Sequence, residues 1–89
     1  METADMKLDG NAIGGLLREI FTMEMTAAEA TCAGCSAVNA VGRVDVYVHA
    51  PGTVVRCPSC EQVLMRIVRG RGRYWVDLSG TRTLEFAEG

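Results

Sequence analysis

All four cysteines of this chain stand in two short motifs, Cys32-Ala33-Gly34-Cys35 and Cys57-Pro58-Ser59-Cys60, with 21 residues between them. Two tight turns so spaced offer four thiolates to one tetrahedral ion, and the two-residue gap lets both sulfurs of a turn face it. The backbone N–H groups of each turn then point at the sulfurs and offset their charge. Soft thiolates in a tetrahedron select Zn²⁺, with a mononuclear iron site as the competitor. The gap slightly exceeds the roughly 15 to 20 residues common between such pairs, an excess that a hairpin absorbs. The motif therefore predicts a four-cysteine zinc ribbon in which Cys32, Cys35, Cys57 and Cys60 hold one structural Zn²⁺ per chain.

Other uses of paired cysteines fit less well. Structural disulfides need an oxidising compartment, and Glu2 and Asp5 stand where a secretory segment is basic, with no uninterrupted apolar stretch behind them. A thioredoxin-like pair opens a helix after a strand, whereas both motifs here run into β-like sequence, so a thiol redox protein is the lesser alternative. Catalytic zinc sites keep an open position and usually include His or a carboxylate, while all-cysteine sites are closed. The expectation is a non-enzymatic protein.

An 89-residue chain makes one domain, 1–89, and buries only about 60–65% of the surface its unfolded form exposes. Such a domain needs a staple. Zinc on four thiolates is worth on the order of 10 kcal/mol in apparent terms, comparable to a domain's whole net stability, so the apo chain is expected to unfold from Cys32 onward. No run of apolar residues is long enough to span a bilayer, which points to a cytoplasmic protein without a membrane partner. The net charge of −2 argues against a generally basic nucleic-acid binder. It conceals an asymmetry: residues 1–31 carry six acids against Lys7 and Arg18, and residues 43–76 carry six arginines against Asp45 and Glu61.

Along the chain, Met1 to Lys7 lacks periodicity and reads as a loose end. Ala12, Ile13, Leu16, Leu17, Ile20 and Phe21 then follow three- and four-residue steps, predicting a helix over about 10–23 with Asp9 or Asn11 as its cap. Gly14 and Gly15 make this helix marginal alone, so its apolar face must dock on its own ribbon or on a second chain as a homodimer. The ribbon occupies about 27–88. Residues 37–41 and 44–49 read as strands broken at Gly42, with Val44, Val46 and Val48 alternating. Pro51-Gly52 makes a turn into a strand over 53–56. Strands over 63–68 and 74–78 flank a glycine-rich tip, Arg69 to Arg73, and a last strand runs from Thr81 to Phe86 with Leu84 and Phe86 facing inward. The fold class is small α+β: a ribbon of antiparallel strands with one N-terminal helix.

The stretches Asp9-Gly10-Asn11-Ala12, Leu17-Arg18-Glu19-Ile20-Phe21, Met25-Thr26-Ala27, the two cysteine motifs and Trp75-Val76-Asp77-Leu78-Ser79-Gly80 together resemble a family of small, uncharacterised actinobacterial zinc-ribbon proteins. The resemblance covers nearly the whole chain. It implies a zinc-ribbon fold with the four cysteines as ligands and brings no established activity. Ser36 and Glu61 stand where the wider zinc-ribbon class places glycine after the second cysteine of each knuckle.

Binding residues are sought among the arginines. Arg66, Arg69, Arg71 and Arg73 run into Tyr74-Trp75, a combination enriched at protein-binding hot spots. The same guanidinium groups and aromatic faces also suit a nucleic-acid backbone and a stacked base. A protein-interaction or adaptor module is the leading reading and a nucleic-acid-binding ribbon the alternative. Some of these arginines, with Arg56, are alternatively expected to balance the acidic helix or the thiolate centre. His49, the only histidine, lies on an alternating strand and reads as a surface or half-buried residue rather than a catalyst, because a general base also needs an orienting partner.

Overall fold

The computed structural model describes residues 7–49 and 51–88. Among them the chain forms β1 (Lys7–Asp9), a 3₁₀ turn (Gly10–Ile13), α1 (Gly14–Phe21), β2 (Glu29–Cys32), β3 (Val38–Ala40), a second 3₁₀ turn (Val41–Arg43), β4 (Asp45–His49), β5 (Gly52–Arg56), β6 (Val63–Gly70), β7 (Arg73–Asp77) and β8 (Thr81–Glu85). The strands make two sheets, five strands in the order β1-β4-β5-β6-β7 and three in the order β3-β2-β8. Every pairing is antiparallel. The α+β class read from the sequence is the class observed.

The helical stretch is shorter than its periodicity suggests and divides in two. Asp9 caps it, its carboxylate accepting the Asn11 N–H at 3.1 Å, and the first turn is 3₁₀, a common way for a helix to begin. That turn lies tight against the second 3₁₀ turn. A side chain at Gly10 would overlap the carbonyl oxygen of Val41, so only glycine allows the approach. The helix stops at Thr22, which adopts the left-handed conformation and returns its N–H to the Arg18 carbonyl at 2.8 Å.

The apolar face of α1 is used inside the chain. Leu17 is 1% exposed and Ile13 is buried, with Leu16, Ile20 and Phe21 packed at the edge of the same core. They meet Val44, Val46, Val55, Met65 and Ile67, together with Met25 and Ala28 from the connection to β2. Burying one such leucine is worth about 1.5–3 kcal/mol. Of the two docking options left open by the sequence, the chain's own sheet takes this face.

Strand alternation fails at one place for a definable reason. Val55 pairs with Met65 but Arg56 pairs with Val63, so β6 carries one extra residue, Leu64, as a bulge. Leu64 and Met65 are consequently both buried. Gly80 lies against this bulge, where a Cβ would overlap the Val63 carbonyl oxygen, and the Thr81 hydroxyl donates to the Leu64 carbonyl at 2.9 Å. The bulge thereby ties the five-stranded sheet to the start of β8.

Some expectations need correcting. Lys7 belongs to β1 and pairs with Tyr47; the rest of the expected loose end, 1–6, lies outside the described residues. The strand expected over 37–41 is β3, which gives way to the 3₁₀ turn at Val41. The glycine-rich tip shrinks to Arg71-Gly72, because β6 continues to Gly70 and β7 begins at Arg73. Both tip residues have positive φ, 54° and 73°, the two-residue turn that matches strand twist. Phe86 lies beyond β8 and is 44% exposed, whereas Leu84 packs on the core. Its neighbours Ala87 and Glu88 are exposed as well, so the chain has left the sheet before Phe86 reaches an inward position.

Candidate metal centre

The two cysteine motifs form the same knuckle twice. In the first, the Cys32 N–H donates to Ala37 C=O (2.9 Å), the Ser36 N–H to Cys32 C=O (3.0 Å), and the Gly34 N–H to the Cys32 Sγ (3.3 Å). In the second, the Cys57 N–H donates to Gln62 C=O (2.9 Å), the Glu61 N–H to Cys57 C=O (2.8 Å), and the Ser59 N–H to the Cys57 Sγ (3.4 Å). The residue after each second cysteine turns the chain with positive φ, 66° at Ser36 and 68° at Glu61. These are the positions where the zinc-ribbon class uses glycine. The turn forms regardless, with the left-handed strain carried by ordinary side chains.

Each knuckle belongs to a different sheet. The first leads from β2 to β3 in the three-stranded sheet and the second from β5 to β6 in the five-stranded one. All four Sγ atoms lie within 4.8 Å of one another, with Cys32 to Cys60 and Cys35 to Cys57 both at 3.7 Å. None is in a disulfide. For a metal–sulfur distance of about 2.3 Å the edge of a tetrahedron is about 3.8 Å, so the sulfurs are already spaced to hold one ion. Cys32 and Cys57 are buried in the core while Cys35 and Cys60 are exposed, giving the site one face in the protein and one in solvent.

The electrostatics of the cluster call for a cation. The N–H groups of Cys35 and Gly34 hold the Cys32 thiol down to about 7 against its desolvation. At Cys57 burial pushes upward, yet the N–H groups of Cys60 and Ser59 leave the thiol below its ordinary value. The Gln62 N–H lowers Cys60, but desolvation and the three neighbouring sulfurs together lift it to about 12. Four thiols this close do not all ionise on their own, and a divalent ion removes the obstacle by neutralising half of their charge. Two arginines support the knuckles from outside: Arg56 donates to the Glu61 carbonyl at 2.8 Å and Arg82 to the Ala33 carbonyl at 3.5 Å. Arg56 was singled out by its position beside Cys57. Arg82 was not, since only the fold brings β8 beside the first knuckle.

The structure divides the arginine-rich hairpin. Cross-strand partners share a face, so Arg66, opposite Asp77, and Trp75, opposite Val68, lie on the side of the sheet away from α1. Arg69 and Tyr74, also opposite one another, lie on the helix side. There the Tyr74 hydroxyl donates to the Glu19 carboxylate at 2.6 Å, Arg69 approaches that carboxylate at 3.4 Å, and the Arg69 guanidinium sits 5.6 Å from the Tyr74 ring centre. The acidic helix thus engages one arginine of the cluster, and Glu19 is a partner that sequence reasoning did not identify individually. Arg71 and Arg73 are exposed at the turn, Trp75 is 54% exposed, and His49 ends β4 in an exposed position.

No helix among the described residues is long and apolar enough to cross a membrane. Neither the curated proteins nor the solved structures contain a significant match to this chain. Residues 2–89 match a family described as a family of unknown function, DUF6510, and the chain belongs to that family.

Proposed function

We propose that this chain is a small, non-enzymatic protein-interaction module of the zinc-ribbon type, stapled by one structural Zn²⁺ on Cys32, Cys35, Cys57 and Cys60. The observation that carries the reading is the placement of four sulfurs at tetrahedral spacing by two knuckles, one from each sheet. Four thiolates fill a tetrahedron and leave no open position for water or substrate. A bound Zn²⁺ supplies a cross-link between the sheets, and the N–H groups of both knuckles share the charge. A reducing compartment such as the cytoplasm keeps these thiols available. Recognition falls to Arg66, Arg71, Arg73 and Trp75, exposed hairpin side chains of types enriched at hot spots, whereas Arg69 and Tyr74, though exposed too, are engaged by Glu19.

The test has two arms. Chelation of the metal is expected to expose the amides of β3, β2 and β8 to hydrogen exchange first, because Ala30 and Cys32 are the only buried residues on those strands. Replacing Arg66 and Trp75 together by Ser is expected to abolish capture of the partner while metal content and melting temperature hold. Unchanged capture would remove the hairpin from the account.

The nucleic-acid reading retains one supporting observation. Tyr47, Arg66 and Trp75 share the sheet face away from the helix, Tyr47 and Arg66 through their common neighbour Val54, which offers two aromatic surfaces beside a basic group for a single strand. Asp45 and Asp77 lie on the same face, which favours the protein reading. Titration with short single strands at several salt concentrations separates them, because phosphate contacts weaken steeply with salt.

A further inference from the structure

The free edge at the β7 end of the five-stranded sheet has a sequence that complements itself. β7 reads Arg73-Tyr74-Trp75-Val76-Asp77 and pairs only with β6 among the described residues. We propose that β7 pairs antiparallel with β7 of a second copy of this chain, joining two five-stranded sheets across a two-fold axis at Trp75. The proposal rests on the reading of the β6–β7 hairpin as the interaction surface and names its partner.

The hydrogen-bonding parity supports this register. A two-residue turn closes on a hydrogen-bonded pair, here Gly70 and Arg73, and such pairs alternate along an antiparallel ladder. Arg73, Trp75 and Asp77 therefore spend their backbone groups on β6. The Arg69 N–H fits the same parity, since it donates away from β7 to the Pro51 carbonyl at 3.3 Å. Tyr74 and Val76 are left with N–H and C=O groups pointing outward from the sheet edge. When two β7 strands meet antiparallel about Trp75, Tyr74 faces Val76 of the second copy and Val76 faces its Tyr74. Both are hydrogen-bonded pairs, so every outward backbone group of these two residues finds a partner.

The side chains agree with the backbone. Arg73 comes opposite Asp77 of the second copy and Asp77 opposite its Arg73, two opposite-charge pairs related by the axis. Trp75 meets Trp75 of the second copy in a close, non-hydrogen-bonded pair, about 4.5 Å between Cα atoms, where aromatic pairs pack well. Sliding the register by two residues loses both charge pairs. The other edges offer less: β1 and β3 have three residues each, and β8 run against itself about Thr83 sets Arg82 opposite Leu84. A regular five-residue edge bearing a tryptophan that is 54% exposed is the kind of edge that associates unless blocked. The interface is small, so a reversible monomer–dimer equilibrium is expected.

Sedimentation equilibrium of the metal-loaded chain over a range of concentrations tests this. The wild type shows a monomer–dimer equilibrium. Arg73→Asp and Asp77→Arg, each alone, set like charges in both pairs and weaken the dimer at least about tenfold. An equimolar mixture of the two variants again opposes unlike charges and recovers association as a mixed dimer, as does the double variant with itself. Hydrogen exchange of the unmodified protein gives a second readout independent of any substitution. The Tyr74 and Val76 amides slow as concentration rises, while those of Arg73, Trp75 and Asp77 stay protected throughout. A wild type that remains monomeric, a dimer indifferent to either charge reversal, a mixture that fails to recover, or Tyr74 and Val76 amides indifferent to concentration overturns the proposal. A monomeric wild type leaves the hairpin as a surface for another protein, which the Arg66 and Trp75 substitutions test separately.

Discussion

Replacing Ser36 or Glu61 by Gly is expected to stabilise the metal-loaded protein. Both residues hold positive φ, 66° and 68°, in the turn that closes each knuckle, and both are exposed. The bonds made there use backbone groups, the N–H of each residue donating to the carbonyl of the first cysteine of its motif, so glycine keeps them. The left-handed conformation costs an ordinary residue roughly 1–2 kcal/mol. Glycine removes that strain but gives the unfolded chain more freedom, a loss of roughly 0.5–1 kcal/mol. The net gain is about 0.5–1 kcal/mol for each substitution, which for a domain of this size raises the melting temperature by about 2–8 °C. Glu61→Gly also removes a negative charge beside a thiolate-rich centre and is expected to gain slightly more. The assay is thermal unfolding followed by circular dichroism at one fixed free zinc concentration, because the metal itself shifts the midpoint. A lower melting temperature for both variants at equal metal content would refute the argument that these turns are strained.

Leu17→Ala is expected to cost about 2–5 kcal/mol, since Leu17 is 1% exposed at the centre of the helix-to-sheet contact; denaturant unfolding of the loaded protein measures it, and a loss below about 1 kcal/mol would mean that α1 is not docked. Gly80→Ala should destabilise although the side chain added is small, because its Cβ has no room beside the Val63 carbonyl, whereas Gly15→Ala, with open space around it, should stabilise by about 0.5–1 kcal/mol; thermal melts of the pair give opposite signs if the packing is right. Tyr74 has a raised pKa because its hydroxyl donates to Glu19, so the bond contributes below the ordinary tyrosine value and is lost as pH rises through the folded one. Tyr74→Phe should therefore lower stability at neutral pH and flatten its decline on the alkaline side, and a spectrophotometric titration in which the phenol lost on Tyr74→Phe ionises at the ordinary value would contradict this.

Much of the fold was legible from spacing alone. The step pattern of Ile13, Leu16, Leu17 and Ile20 locates the helix, and the paired cysteines locate the knuckles. Less legible were features that depend on two distant segments meeting. Gly10 lies against Val41, and the bulge at Leu64 lies against Gly80; neither partner is visible locally. Arg69-Gly70-Arg71-Gly72-Arg73 offers two glycines, so the sequence alone suggests a broader tip than Arg71-Gly72, and only the register shows which glycine turns. The arginines looked like one cluster in sequence, but strand alternation sends Arg66 and Arg69 to opposite faces. The self-complementary order of β7 was present in the sequence, yet it carries meaning only once β7 is known to be an edge.

The central claim, that the fold is closed by one metal ion on four thiolates, is tested most directly by mass spectrometry of the purified protein under native and then denaturing conditions. The expected result is a native mass higher than that of the chain by one zinc ion less the protons it displaces, followed on denaturation by the bare chain with four thiols open to alkylation. A folded, metal-free chain whose mass is reduced by two disulfides, with no thiol left to alkylate, would contradict the account.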